Sequence, residues 1–312
     1  MGLEDKSQIL VDIGGTNTRI STEDGALRAY KNNDFCSFES VLDTYFSESG
    51  KQRGSILISA AGPEEYGADR KAGMAERILL TNRGWNIDRE QLYGAGFSEV
   101  RLFNDLYSAA YGVYAISRQT LDCFRPLCGA GFQGAVPFAV VGVGTGIGCS
   151  VFISDDQVLS TEAGHMPAAI DPQLAERFLA SGVLPCHPKY ERIISGLGLE
   201  TLIKVYGSPA YLTTPADIPG AARAGDDTAL EIIAIFNQLL GRFLTAIVVA
   251  YRAVGGVCIV SDFLRDWGDL LDRERIGSEY LQDVPRILKN APVVLLDHDQ
   301  VPLRGLQRLA GL

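Results

Sequence analysis

The chain has 312 residues, with 38 acidic against 28 basic side chains and a formal net charge of −10. That balance, with no offsetting Lys/Arg cluster, excludes a nucleic-acid-binding footprint. An anionic ligand would have to be held by backbone N–H groups, helix N-termini or a metal ion. The 34 glycines predict several tight turns or loops that expose backbone, and the length suggests roughly two domains.

Six cysteines (Cys36, Cys123, Cys128, Cys149, Cys186, Cys258) are scattered without CxxC pairs. This predicts free thiols rather than a disulfide framework or a zinc site. The N-terminal MGLEDKSQIL has neither a basic n-region nor a long apolar h-region, so no signal peptide is expected. The most apolar window, FLTAIVVAY at 243–251, lies between Arg242 and Arg252 and is far shorter than the ~20 residues of a membrane span. A soluble cytoplasmic protein with no membrane partner is the expectation.

In chain order, QILVDI (8–13) and NTRIST (17–22) read as two strands joined by a DIGGT turn. SILISA (55–60) and RILLTN (77–82) read as further strands. VRLFN (100–104) is a strand that runs into a helix beginning DLYSAAYGVYAI. Strand followed by helix predicts an α/β layer arrangement. PFAVVGVGTGIGCSVFI (137–153) repeats the opening pattern of apolar strand, Gly/Thr turn and apolar strand, which suggests duplicated halves. A helical segment QLAERFLAS, a Gly-rich joint SGLGLE and a helix LIKVYG follow. A long helix is predicted from about Thr228 to Ala253, started by Asp226 and Asp227 and stopped by Gly255-Gly256. GGVCIVSDFL and APVVLLDHD (291–299) each hold a strand, and the tail VPLRGLQRLAGL reads as an amphipathic helix.

Neither glycine loop is a GxxxxGK[ST] phosphate loop, and GVGTGIG misses GxGxxG at Ile147. Both place glycine beside Thr or Asn at a strand-to-strand turn, where backbone N–H groups and a hydroxyl can approach an anion. Asp12 beside the first loop would suit a hydrated Mg²⁺ carrying a phosphate. A tight hairpin in which glycine merely supplies positive φ is the structural alternative.

VDIGGTNTR resembles the first phosphate motif of the hexokinase, actin and heat-shock-chaperone superfamily, and VGVGTGIG resembles the second. More narrowly, ILLTNRGWNI, RLFNDLYSAAYG, VVGVGTGIG, TEAGHMPAA, YERIISGLGLETL and VVLLDHDQVPLRGLQRL are similar, in order, to segments of the bacterial-type ATP-dependent glucokinases. The resemblance implies an α/β protein of two ribonuclease-H-like, actin-like ATPase domains. Each would carry a mixed five-stranded sheet flanked by helices, with the active-site cleft between the domains. On this reading 1–106 plus 299–312 form the smaller domain and 107–298 the larger. It further implies transfer of a phosphoryl group from ATP, with Mg²⁺, to the 6-hydroxyl of glucose or a related hexose, and a homodimer.

The resemblance carries over residue by residue. Asp105 is implied as the general base, although a lone Asp at that place reads as a helix N-cap. Asn104, Glu162, His165 and Glu191 are implied to hold the sugar; taken singly, each also suits a surface or structural role. Asp12, Gly14, Gly15, Thr16 and Asn17 in the first loop, and Gly144, Thr145 and Gly146 in the second, are implied to cradle the phosphates, with Asp12 reaching Mg²⁺ through water. Asn82 matches a family segment; His187 and His298 receive no role. The related repressor and kinase group carries a Cys-rich zinc motif that this chain lacks, and no helix-turn-helix precedes the first strand. The sequence departs from the glucokinase pattern at Ser261 and Asp262, which stand where a glycine run lies against the adenosine. Three readings stay open there: new contacts to the nucleotide, altered nucleotide preference, or weakened binding. A sugar-binding sensor or pseudokinase, or a kinase for another hexose, is therefore the alternative.

Overall fold

Two sheets of one plan are built from the apolar runs, in a computed structural model that describes residues 6–67, 74–80, 83–207 and 209–312. Asn82 lies outside the described residues. The chain folds as two compact units, residues 1–119 with 155–159 and 299–312, and residues 120–154 with 160–298.

In the first unit, β1 (Lys6–Ile13), β2 (Asn17–Thr22), β3 (Leu27–Lys31), β4 (Gln52–Ala60) and, later in the chain, the strand Glu99–Asn104 form one sheet in the order β3-β2-β1-β4 and then Glu99–Asn104. β1 is antiparallel to β2 and parallel to β4, which is parallel in turn to the strand Glu99–Asn104. Parallel strands covered on both faces read as unbroken apolar runs, and Ile9, Leu10 and Val11 are fully buried. Helix α1 (Phe38–Ser49) starts at a capping box on Ser37. Short strands β5 (Glu64–Glu65), β6 (Arg77–Leu79) and β7 (Asn86–Asp88) make a separate small sheet. The expected strand at 77–82 is therefore shorter, and its last residues are not described. Helix α2 (Arg89–Gly94) leads into β8 (Glu99–Asn104), and α3 (Asp105–Gln119) follows without a break.

In the second unit, β9 (Phe124–Cys128), β10 (Phe138–Val143), β11 (Ile147–Ser154), β12 (Gln157–Thr161), β13 (Val257–Val260) and β14 (Val293–Leu296) are ordered β12-β11-β10-β13-β14-β9. β10 is antiparallel to β11 and parallel to β13, and β13 is parallel to β14. The relation of β1 to β2 and β4 is thus repeated by β10 with β11 and β13, as the duplicated Gly/Thr turns imply. The sixth strand, β9, adds antiparallel to the edge at β14; its sequence FRPLC carries no alternation that would have announced it. Helices α4 (Pro172–Ser181), α5 (Gly196–Val205), α6 (Ile218–Arg223), α7 (Asp227–Tyr251), α8 (Asp262–Trp267) and α9 (Arg273–Glu279) complete this unit, and α10 (Val301–Ala310) closes the first.

The second sheet has six strands where five were expected, and three further expectations are corrected. The SGLGLE segment is helix rather than joint, because Ser195 caps α5 and its two glycines enter the first turn. The long helix ends at Tyr251, with Arg252 left-handed (φ 50°), before the two glycines expected to stop it. The unit boundary falls after α3, at 119–120, rather than at 106–107. α3 packs closely on α10, where Gly112 and Gly305 let the two backbones meet: a Cβ on Gly112 would stand 2.0 Å from the Val301 carbonyl oxygen. α7 is long and apolar enough to cross a membrane by composition alone, but 67% of its apolar window is buried inside the protein, as in a core helix.

Candidate active site

The first loop, between β1 and β2, is closed by Gly14 N–H donating to the Asn17 carbonyl at 3.0 Å. Gly15 and Thr16 are exposed at its tip. Gly14 does not take positive φ, so conformational freedom does not explain glycine there. A residue that the sequence reading missed, Asn32, fixes the loop from beneath. It is fully buried; its Nδ2 donates to Gly14 O (2.8 Å), its Oδ1 accepts from Thr18 Oγ1 (2.7 Å) and its N–H donates to Thr16 O (2.9 Å). Asp12, 5% exposed, lies opposite Arg19 in the strand register, with its Oδ2 3.5 Å from Arg19 Nη1. A second residue that was missed, Arg83, donates from Nε to Gly15 O at 3.3 Å and stacks over Trp85. It brings a cation to the loop.

Asn104 and Asp105 sit at the junction of β8 and α3. Asn104, not Asp105, is the helix cap: its Oδ1 accepts from Leu106 N (2.9 Å) and Tyr107 N (3.4 Å). Its own N–H donates to Glu64 Oε1 at 3.2 Å, and its Nδ2 to Gly62 O at 3.4 Å. Asp105 is the first residue of the helix. Burial pushes its carboxyl above the ordinary aspartate range, against the opposing pull of the Leu106 N–H on Oδ1 at 2.9 Å. A half-buried carboxylate with a raised pKa at a strand-to-helix junction suits a general base.

The second loop, between β10 and β11, is closed by Gly144 N–H donating to Gly146 O at 2.9 Å. Neither glycine takes positive φ. A Cβ on Gly146 would stand 2.7 Å from Glu191 Oε2, so a side chain there would displace that carboxylate. That carboxylate oxygen accepts from Ile147 N at 3.4 Å, and Oε1 lies 3.8 Å from His165 Nδ1, an ion pair when the imidazole is protonated. His165 ends the 3-10 turn Ala163–His165, and exposed Glu162 precedes it. Glu191 and His165 thus come together beside Gly146, and Glu162 shares the turn that carries His165.

Ser261 and Asp262 have a structural account. Ser261 is nearly buried, and its Oγ accepts from Leu264 N at 3.2 Å as the N-cap of α8. The Asp262 side chain is 91% exposed and pairs with Arg265. Among the described residues no group of three or more His, Cys, Asp or Glu is placed to hold a metal ion. A single Asp12 carboxylate fits the sparse ligation of Mg²⁺ by one or two carboxylates plus phosphates and water.

Two sheets that share one order over five strands, each containing a Gly/Thr hairpin, define the actin-like ATPase fold, and the structural neighbours share it. The family model for glucokinase matches residues 9–311, and the chain belongs to the glucokinase family. The glucokinase of Caulobacter sp. (strain K31) is 31% identical over 289 residues, which cover 86% of this chain and 84% of that one. The bifunctional protein glk of Burkholderia orbicola (strain AU 1054) is 26% identical over 315 residues, 92% of this chain but 47% of that one, so the chain spans about half the length of that relative. The crystal structure of glucokinase from an Antarctic psychrotroph superimposes with a TM-score of 0.75 at 24% identity, covering 98% of this chain and 99% of that one.

Proposed function

We propose that the protein is an ATP:hexose 6-phosphotransferase, with glucose as the preferred sugar. The observation that carries this reading is Asp105, a carboxyl raised by burial at the β8–α3 junction, with the capping role taken by Asn104. In the proposed reaction Asp105 takes the proton of the sugar 6-hydroxyl. O6 forms a bond to the γ-phosphorus as the bond to the β–γ bridging oxygen breaks, and ADP leaves. Asn104, Glu162, His165 and Glu191 hold the sugar hydroxyls, since carboxylates and amides both orient and discriminate them. The loops Gly14–Asn17 and Gly144–Gly146, exposed at Gly15, Thr16, Gly144 and Thr145, receive the phosphates. Mg²⁺, which Asp12 would hold through water, supplies neutralisation of phosphate charge.

The glucokinase of Streptomyces griseus, solved with glucose and AMPPNP, is a structural neighbour with a TM-score of 0.61 at 19% identity and supports ATP as donor. A cytoplasmic homodimer is part of the same proposal and rests on the family resemblance. The sensor reading drew on Ser261 and Asp262. With Ser261 occupied as a helix cap, that departure has a reason unrelated to loss of the nucleotide. A coupled assay across hexoses and phosphoryl donors tests the proposal: glucose 6-phosphate formation with ATP is expected. Calorimetric binding of glucose without binding of Mg-ATP would overturn it in favour of a sensor.

A further inference from the structure

The segment joining Glu191 to α5 holds the second loop at two points. The first two helical amides of α5 donate into the loop, Gly196 N to Gly144 O at 2.8 Å and Leu197 N to Thr145 O at 3.1 Å. Helix N-termini leave such donors without intrahelical partners, and here the loop carbonyls take them. At the base of the loop, Glu191 Oε2 receives the Ile147 N–H. Ser195 ties these two anchors together. It is fully buried; its Oγ–H donates to the Glu191 carbonyl at 2.6 Å, while the same oxygen accepts from Gly198 N at 3.0 Å. One hydroxyl therefore links the peptide of Glu191 to the helix turn that grips Gly144 and Thr145.

We infer that Ser195 is a positioning residue that couples sugar binding at Glu191 to ordering of the 144–147 loop for nucleotide phosphate. The inference rests on the kinase reading above. Its physical basis is the divided duty of Glu191, which has one oxygen toward His165 and the other on the loop amide. The Ile147 contact, at 3.4 Å, is at the long limit for N–H···O. A hexose that fixes the Glu191 carboxylate removes its freedom to swing away and shortens that contact. A loop already ordered binds phosphate with less entropy to lose. Ser195 transmits the restraint because, with its hydroxyl removed, the Glu191 turn and the α5 turn can move separately.

The test measures the affinity of Mg-AMPPNP by calorimetry with and without saturating glucose. The wild-type protein should bind the nucleotide at least about fivefold more tightly with glucose, within the usual range of coupling between sites. Ser195→Ala should bring that ratio to within about twofold of unity, while leaving nucleotide affinity without glucose within about threefold of wild type. Ser195→Cys, which keeps the side chain's size but replaces the hydroxyl with a much weaker donor and acceptor, should lower the ratio in the same direction and serves if Ser195→Ala does not fold. A merely structural role would weaken both measurements alike and leave the ratio unchanged. A wild-type ratio near unity, or a ratio preserved in a folded variant, overturns the coupling. Failure of the kinase reading is seen separately, as no phosphorylation of any hexose by the wild-type protein.

Discussion

Asn32 Nδ2 donates to the carbonyl oxygen of Gly14 at 2.8 Å, from a side chain with no exposed surface. With its bonds to Thr18 and Thr16 it pins three points of the first loop. Asn32→Asp keeps the shape but turns a donor into an acceptor facing a carbonyl, and places negative charge beneath the proposed phosphate cradle. The variant should lose about 1–3 kcal/mol of stability, as expected for a buried polar group left unpaired. Its KM for ATP should rise at least about tenfold while the KM for glucose stays within about threefold, because the loop is proposed to receive the phosphates and not the sugar. Steady-state kinetics decide it: equal rises in both constants would show a general loss of structure instead.

Asp105 supplies a sharper kinetic test. Asp105→Ala should lower kcat by about 10²–10⁴, the usual contribution of a general base. Sugar affinity should stay within about tenfold, since the group acts mainly in the transition state. The base works only when ionised, so wild-type kcat/KM should fall with decreasing pH along a limb centred above the ordinary aspartate value of 3.8, in the direction set by burial. An acid limb at or below that value would remove Asp105 from the role.

The same shift has a consequence for stability. The folded pKa of Asp105 is raised, so the native state holds this proton more tightly than the unfolded chain does. Its contribution to stability therefore declines as pH rises from the unfolded value through the folded one, and stays unfavourable above it. Asp105→Asn removes the half-buried charge without changing size. Thermal denaturation at about pH 8 should show a higher Tm for the variant than for the wild type, and the gap should narrow as pH approaches about 4. A constant gap across that range would separate the effect from ionisation.

Much of this was legible in the sequence because it lay in local pattern. The Gly/Thr hairpins stood out by composition, Asp105 by its place between a strand and a helix, and α7 by its Asp226 N-cap and apolar length. Asn32, Ser195 and Arg83 were not legible for a common reason. Each acts on a loop remote in the chain or through a backbone carbonyl, and neither kind of contact leaves a spacing rule. Asn32 reaches Gly14 across 18 residues, and Arg83 reaches Gly15 across 68. SGLGLE misled because glycines are poor helix formers, yet a buried Ser195 cap holds them in α5.

Ser261 can be assigned to the helix or to the nucleotide by experiment. As an N-cap, Ser261→Ala should cost about 1 kcal/mol and Ser261→Gly only a few tenths. With the Oγ engaged at Leu264 N, the KM for ATP should move by less than about twofold in Ser261→Gly. A large rise in KM for ATP at unchanged stability would mean that the hydroxyl serves the ligand.

Arg83 offers the last test, because it brings positive charge to a loop proposed to receive phosphate in a protein of net charge −10. Its Nε holds Gly15 O at 3.3 Å and its guanidinium lies 5.5 Å from the Trp85 ring centroid, so its place is fixed by contacts that leave the charge unneutralised by them. Arg83→Ala should raise the KM for ATP by about three- to tenfold, as expected for loss of one charge-assisted contact. Arg83→Lys should recover only part of this, because an ammonium cannot keep both the stacking and the forked donor geometry. The wild-type KM for ATP should also rise with added salt more steeply than that of Arg83→Ala, since screening acts on the charge that the variant lacks. Parallel salt dependence in the two proteins would show that Arg83 supports the loop sterically and takes no part in binding the nucleotide.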